Sequence, residues 1–229
     1  MTTEKEFLAA VSSRLGRKEV ISRPNWAPAK PLPTFGLTDP NALADRFAAE
    51  LDLLKASVYR AGSAGEVAGI VISILQAAGL KGSVVRWADP TLEGLGLDEA
   101  LTAGGYEVVP FTPGAEGLVQ TAEQSVAGIT GVDLAIAESG TIVLGSHRWG
   151  DAKAAGRGRV VSLLPPVHIA LVRKEQLVYS SADFFRKLSA SGPLPSQVIF
   201  ASGPSRSADI ENDLSIGVHG PGQEHVIVL

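Results

Sequence analysis

The chain has 229 residues, 45% of them hydrophobic, and a formal net charge of −4 at pH 7. This length and composition allow one large domain with a substantial core and argue against global disorder. The slight acidic excess argues against nucleic-acid binding. No apolar stretch approaches the roughly 18 residues that a membrane-spanning helix needs, and the charged N-terminus is unlike a signal peptide. We therefore expect a cytoplasmic protein without a membrane span.

Cysteine is absent from the chain. The protein therefore cannot use a thiol nucleophile, form a disulfide or bind an iron–sulfur cluster through thiolates. Any redox centre must be a bound organic cofactor or belong to a partner protein, and the sequence does not specify a cofactor.

The N-terminal segment is predicted to be a short helix followed by a proline-rich arm. Residues 4–15 place apolar side chains on one helical face, and residues 22–41 contain five prolines. Such a composition is typical of an extended segment. It indicates either a linker packed across the domain surface or an arm that crosses to another copy in a homo-oligomer. We predict N-terminal helices and the arm in residues 1–57 and an α/β domain in residues 58–229.

Beyond the arm, short β-branched runs alternate with helical or turn segments, and Ser63 with Glu66 predicts a capping box at one helix start. The alternation predicts an α/β fold with a largely parallel sheet and helices on both faces. Within 133–144 two runs flank a short turn, which predicts a local hairpin. The predicted strands are Ser83–Trp87, Tyr106–Pro110, Asp133–Ala137, Thr141–Leu144, Val167–Val172, Gln197–Ala201 and His225–Leu229.

The turn Glu138-Ser139-Gly140-Thr141 is the first candidate site. Glu138 ends a run that reads as buried, where a carboxylate suits acid/base or nucleophilic work. We predict Glu138 as a catalytic residue. Ser139, Gly140 and Thr141 are predicted ligand contacts, since the hydroxyls can donate and glycine allows backbone N–H groups to face outward. The alternative is a tight turn whose glutamate caps backbone amides.

A second candidate site follows the run that ends at residue 201. Ser205 or Ser207 is expected to cap a helix whose free N–H groups favour an anion. Acidic residues in a first helical turn also suit the helix dipole without any ligand, and the two interpretations are compatible. The predicted ligand-binding residues here are Gly203, Ser205, Arg206, Ser207 and Asp209.

His219 lies in a glycine- and proline-rich turn, Gly217–Pro221. A rigid turn that exposes an imidazole suits proton transfer or carboxylate binding, so His219 is a second predicted catalytic residue. The alternative is a turn whose histidine satisfies a backbone group. His168 begins a buried run and is interpreted as structural. His219 and His225 lack the spacing of a metal pair, so we predict no metal site.

Basic residues are concentrated between residues 147 and 159, among glycines. They predict either a mobile loop that closes over an anionic ligand or a solvated loop without a ligand. Arg159 is the ligand contact predicted from this stretch.

Four motifs occur in order: AIAESGT at residues 135–141, SLLPPVHI at 162–169, GPSRSADIE at 203–211 and GVHGP at 217–221. Together they resemble the LUD-domain family of lactate utilization C proteins over nearly the whole chain. The resemblance implies a fold similar to the NagB, ribose-5-phosphate isomerase and CoA-transferase group. It also implies a role in oxidising L-lactate to pyruvate alongside iron–sulfur partner proteins, and the absence of cysteine fits the member without clusters.

Three functions remain open from the sequence. The first is an accessory or non-redox subunit of an L-lactate oxidation complex that binds a small anionic ligand or a partner. The second is an independent CoA-transferase-like or isomerase-like enzyme acting on a small anionic substrate, with Glu138 as nucleophile or base. The third is a ligand-sensing scaffold without catalysis, whose arm and basic loop contact partners.

Overall fold

The computed structural model describes two compact units, residues 1–33 and residues 34–229. Within the first, the predicted helix is confirmed as α1 (Glu4–Arg14), which begins with a capping box between Thr3 and Glu6. Most of the proline-rich arm lies outside the described residues. The structure describes residues 3–17, 36–90, 92–147, 157–191, 195–208 and 214–229.

Helices and strands alternate along the second unit. Its helices are α2 (Pro40–Leu53), α3 (Ala64–Ala77), α4 (Leu97–Ala103), α5 (Leu118–Gln124), α6 (Arg159–Leu163) and α7 (Ser181–Ala190). Its strands are β1 (Ser57–Arg60), β2 (Ser83–Trp87), β3 (Glu107–Phe111), β4 (Ala127–Gly131), β5 (Leu134–Ile136), β6 (Thr141–Gly145), β7 (Val167–Val172), β8 (Leu177–Val178), β9 (Val198–Ala201), β10 (Arg206–Ala208), β11 (Leu214–Ile216) and β12 (Gln223–Val228).

Six parallel strands form the central sheet, in the order β1-β12-β7-β4-β2-β3. The connections that carry α3 and α4 move toward one edge of the sheet, and those that carry α5 and α6 move toward the other. Because such crossovers are right-handed, the two helix pairs cover opposite faces, and the helices of each pair contact each other. The predicted α/β fold, a largely parallel sheet with helices on both faces, is confirmed.

Strand β4 is an element that the sequence analysis missed, although all five of its residues are buried. Its residue Gly128 lies against α6 so closely that a Cβ atom there would overlap the Val161 carbonyl oxygen. Only glycine permits this approach. Two glycines within five residues are a turn signal in sequence, and this obscured the strand.

A smaller sheet of four strands, in the order β8-β5-β6-β9, continues the domain. Strands β5 and β6 pair antiparallel around a short 3-10 turn, Ala137–Ser139, which confirms the predicted hairpin. Helix α7 packs on this sheet through Phe184. The small core formed there consists of Leu134, Ile136, Val143, Val178 and Phe184.

Helix α2 packs on the core of the second unit. The Asp39 side chain accepts a hydrogen bond from the Ala42 amide at 2.8 Å, and Pro40 occupies the first turn, the positions that Asp and Pro favour at a helix start. The helix precedes the predicted domain boundary between residues 57 and 58, yet it belongs to the same compact unit as the sheets. Its buried residues are Leu43, Ala44, Phe47 and Leu51.

The capping box predicted at the start of α3 is only half formed. The Glu66 amide donates to Ser63 Oγ at 3.3 Å, which is the expected N-cap bond. The Glu66 carboxylate, however, accepts from the Gly62 amide at 2.9 Å instead of the Ser63 amide. Helix α3 is nevertheless capped at its first turn.

His225 links the edge strand β1 to β12. Its ring stacks on Tyr59 with the centroids 5.9 Å apart, and its Nδ1 lies 3.2 Å from the Tyr59 hydroxyl. Burial holds the pKa of His225 below its usual value of 6.5. The charge of Glu224 opposes this shift and His168 adds to it, so the net shift is downward.

We expect Phe47→Ala to lower the free energy of unfolding by about 3–5 kcal/mol, because the ring is fully buried and its loss leaves a cavity. Urea denaturation measures the change. Leu53→Ala, on the same helix, is the control, since its side chain is 69% exposed, and it should change stability by less than about 0.5 kcal/mol. Equal losses in both variants would contradict the assigned buried face.

The stability of the protein should depend on the protonation of His225. Because the folded-state pKa lies below the unfolded value near 6.5, the unfolded chain takes up the proton first as the pH falls. The stabilisation by neutral His225 is therefore present above about pH 6.5 and is lost toward the folded-state pKa. Urea denaturation at a series of pH values should show a smaller loss on acidification in His225→Gln than in the wild type. Equal losses would show that His225 is not the group responsible.

Candidate functional site

A cavity of about 210 Å³ lies at the amino ends of β7 and β12. The C-terminal end of α6, the loop after β9 and the turn before β12 enclose it. The sequence analysis placed a candidate site after the run that ends at residue 201, and the loop after β9 does line the cavity. The contribution from the amino ends of two central strands was not predicted. The polar residues that line the cavity are Ser162, His168, Ser202, Ser205, His219 and Glu224.

His168 and Glu224 form a buried polar pair in the wall of this cavity. Residues Gly128, His168 and Glu224 are neighbours in register across β4, β7 and β12, so they share the face that α6 covers. His168 Nε2 lies 2.9 Å from the Thr130 hydroxyl, and His168 Nδ1 lies 3.5 Å from Glu224 Oε1. The side chains of both His168 and Glu224 are at most 3% exposed.

Among the residues that the structure describes, the Glu224 carboxylate has no hydrogen-bond partner, and both of its oxygens are buried. A buried carboxylate without donors costs free energy, so such groups are rare outside functional sites. The sequence analysis began this strand at His225, and it interpreted His168 as structural. The available signal was a glutamate immediately before the histidine that begins the predicted apolar run.

A chain of hydroxyl groups connects the first predicted turn to the cavity. Ser139 Oγ lies 2.7 Å from Thr141 Oγ1, which lies 2.8 Å from the Ser202 hydroxyl in the cavity wall. Gly140 has a positive φ of 58°, and its Cα packs against the backbone of α2 near Leu51. Thus Ser139 and Thr141 support the cavity wall through Ser202, while Gly140 packs against α2.

Glu138 points elsewhere. Its Oε1 accepts a hydrogen bond from the Ser181 amide at 2.9 Å, at the start of α7, and its own amide donates to the Tyr179 carbonyl. It is not among the described residues that line the cavity. This contact corresponds to the alternative in which the glutamate caps backbone amides. The catalytic role of Glu138 stays a prediction.

The start of the second predicted site and the turn that carries His219 meet at the cavity. The Ser205 amide donates to the Pro221 carbonyl at 2.9 Å, and the Gly217 amide donates to the Ser205 carbonyl at 3.0 Å. Gly203 and Ser205 therefore lie beside the turn that carries His219, whose exposed side chain lies at the cavity rim. The structure brings together three of the predicted residues from segments more than ten positions apart.

The helix predicted at Ser205–Ser207 is wrong. Residues Arg206–Ala208 form β10, which pairs antiparallel with β11 in a separate two-stranded ribbon. Polar side chains that suit a helix cap also suit an exposed strand. The pairing of β10 with β11 determined that this segment is a strand and not a helix start. Arg206 and Ser207 are not among the lining residues of the cavity. Asp209 lies outside the described residues.

The basic stretch is divided between a buried and an exposed arginine, and residues 148–156 lie outside the described part of the chain. Arg157 is buried rather than solvated: Nε lies 2.5 Å from Asp89 and Nη1 lies 2.7 Å from Asp133. Burial alone would lower the pKa of Arg157, but the two carboxylates outweigh it and raise the pKa above its usual value. The guanidinium also stacks over Trp87 at 4.8 Å. Arg159 is exposed at the start of α6, beside a different and smaller cavity.

The residues that the structure describes contain neither a metal-binding cluster nor a membrane-spanning helix. No group of three histidine, cysteine, aspartate or glutamate side chains there is arranged to hold a metal ion. No helix in the same ranges is long and apolar enough to cross a bilayer.

Comparison with known proteins identifies relatives of the chain. Residues 44–229 match the LUD domain family. Lactate utilization protein C of Anoxybacillus flavithermus is 32% identical over 228 residues, which cover 97% of each chain. Its counterpart in Halalkalibacterium halodurans is 45% identical over 151 residues, which cover 64% of this chain and 62% of that protein.

A solved structure also resembles this one. A DUF162 family protein of Deinococcus radiodurans superposes with a TM-score of 0.56 at 23% identity, covering 84% of this chain and 99% of that one. At this identity the likeness supports the fold alone. The family resemblance seen in the four sequence motifs is confirmed by the match over residues 44–229 and by relatives that align over nearly the whole length. The chain belongs to the LUD domain family.

Proposed function

We propose that this chain is a non-redox accessory subunit of a system that oxidises L-lactate to pyruvate, working with iron–sulfur partner proteins. The observation that carries the proposal is a small cavity with a buried, unsatisfied carboxylate, in a chain that has no cysteine. Such a site suits ligand binding, and electron transfer through thiolate-bound clusters must take place on other chains. The name of the relatives, lactate utilization protein C, is the basis for proposing lactate as the substrate of the system.

In this proposal the cavity holds a small anionic ligand. Ser205 and His219 provide donors near its opening, and Ser202 provides a hydroxyl that is supported by Thr141. None of the described lining residues is lysine or arginine. A phosphate or a CoA pyrophosphate usually binds through such cations, so the lining favours a carboxylate over a phosphorylated ligand.

Deletion of the gene for this chain should abolish growth on L-lactate as sole carbon source and leave growth on glucose unchanged, because only lactate oxidation needs the subunit. Growth curves and lactate-dependent dye reduction in cell extracts measure the effect. Expression of the wild-type chain from a plasmid is the control and should restore both. Unchanged growth on lactate in the deletion strain would overturn the proposed role.

Affinity purification of the tagged chain at low salt from lactate-grown cells should recover cysteine-rich iron–sulfur proteins, identified by mass spectrometry. The same purification from cells that express the tag alone is the control. Recovery of the chain without any iron–sulfur protein would argue against the subunit role and favour an independent enzyme.

A further inference from the structure

We infer that the cavity selects a small ligand through a hydroxyl group that donates to Glu224, so that a hydroxy acid binds and the corresponding oxo acid is rejected. The inference rests on the proposed ligand-binding role of this cavity and names the residues that set its specificity. It starts from a buried carboxylate, that of Glu224, to which no described residue donates a hydrogen bond.

The first step concerns what Glu224 lacks. An ionised carboxylate is an acceptor with about four lone-pair positions, yet no residue in the described part of the chain donates a hydrogen bond to either oxygen. The His168 Nδ1 atom, at 3.5 Å from Oε1, lies beyond normal hydrogen-bond distance. A ligand group that donates a proton would satisfy the carboxylate, and a group that only accepts would leave it unsatisfied.

The second step concerns His168, which positions Glu224. The Thr130 hydroxyl lies 2.9 Å from His168 Nε2. If this hydroxyl donates to Nε2, the ring carries its proton on Nδ1, facing Glu224. We assign this tautomer because it needs no proton on Glu224 and so keeps the carboxylate in its accepting form. The Nδ1 proton then faces Glu224 Oε1 from 3.5 Å, which favours the charge of the carboxylate electrostatically and leaves its accepting positions open to a ligand hydroxyl.

The third step concerns the remainder of the ligand. Ser202, Ser205 and His219 line the same cavity and can donate to a carboxylate. Lysine and arginine are absent among its described lining residues, which argues against a ligand that carries several negative charges. The volume of about 210 Å³ is below the roughly 300–1,000 Å³ of pockets for drug-sized ligands. The ligand class is therefore a small hydroxy carboxylate.

The hydroxyl group of the ligand is what distinguishes a hydroxy acid from an oxo acid or an unsubstituted acid in this cavity. An oxo acid would place carbonyl lone pairs against the Glu224 oxygens, and an unsubstituted acid would leave those oxygens without a donor. Sites that hydrogen-bond a ligand hydroxyl reject analogues that lack it, because the buried polar group is then left unpaired. The pair Glu224–His168 is thus the specificity determinant of the cavity.

Isothermal titration calorimetry on the purified full-length chain tests the inference, with L-lactate, pyruvate and propionate as probes. L-lactate should bind at least about tenfold more tightly than either analogue, since a hydrogen bond to a charged group is worth at least that factor. Equal or tighter binding of pyruvate or propionate would overturn the inference. So would the absence of measurable binding by all three probes at millimolar concentration.

Three variants test which residue sets the preference for L-lactate over pyruvate. Glu224→Gln should reduce the preference for L-lactate over pyruvate by at least about tenfold, because the amide N–H₂ can donate to the oxo group. Ser205→Ala should weaken both ligands by similar factors, because it removes a contact to their shared carboxylate. Glu107→Gln is the matched control. This exposed glutamate begins β3, an edge strand of the same sheet and three strands away from β7, so both affinities should be unchanged.

Circular dichroism and thermal unfolding establish that each variant is folded. If Glu224→Gln does not fold, Thr130→Val replaces it, and its preference for L-lactate over pyruvate should fall in the same direction. An unchanged preference in the folded variant would overturn the inference. These binding measurements are independent of the growth and purification experiments, so selective binding with normal growth of the deletion strain would refute only the proposed subunit role.

Discussion

The position of the cavity depends on the close approach of helix α6 to strand β4. The Val161 carbonyl rests on Gly128, where any side chain would force the helix away from the sheet. Parallel register places His168 and Glu224 beside Gly128 on the same face. The helix that covers the glycine therefore ends next to the two polar side chains, and Ser162 at its end lines the cavity above them. One glycine contact thus determines both the packing of the helix and the depth at which the polar pair is buried.

Two buried charge clusters in the described part of this domain differ in whether their charges are compensated. Arg157 is bonded to both Asp89 and Asp133 and stacks on Trp87, so its charge is compensated on all sides. Such a cluster fixes the chain at the carboxyl ends of β2 and β4. At the amino ends of β7 and β12, Glu224 lacks that compensation and borders a cavity. Buried polar groups without a hydrogen-bond partner are expected at functional sites, because there a bound ligand provides the missing hydrogen bond. This contrast is the physical basis for assigning a ligand to the second cluster and none to the first.

Local signals in the sequence were sufficient for much of the fold and for part of the site. The α2 cap at Asp39, the hairpin around Gly140 and the buried runs of β2, β7 and β12 each follow from a few adjacent residues. The turns at residues 203–205 and 217–221 were each identified as candidates for a site, and the structure shows that both line one cavity. The helix at residues 205–207 was predicted wrongly, because its hydroxyl groups suit a cap and an exposed strand equally. Strand β4 was missed because its glycines, which the contact with α6 requires, are also turn signals.

The sequence by itself determined the α/β class, the absence of thiolate chemistry and the family, since composition, alternation and motif order do not depend on how distant segments meet. Only the tertiary structure decided that Glu138 faces helix α7 while His168 and Glu224 face the cavity. The reason is that side-chain direction in a parallel sheet is set by register between strands far apart in the chain. His168 and Glu224 are separated by more than fifty residues, and only the pairing of β7 with β12 makes them neighbours.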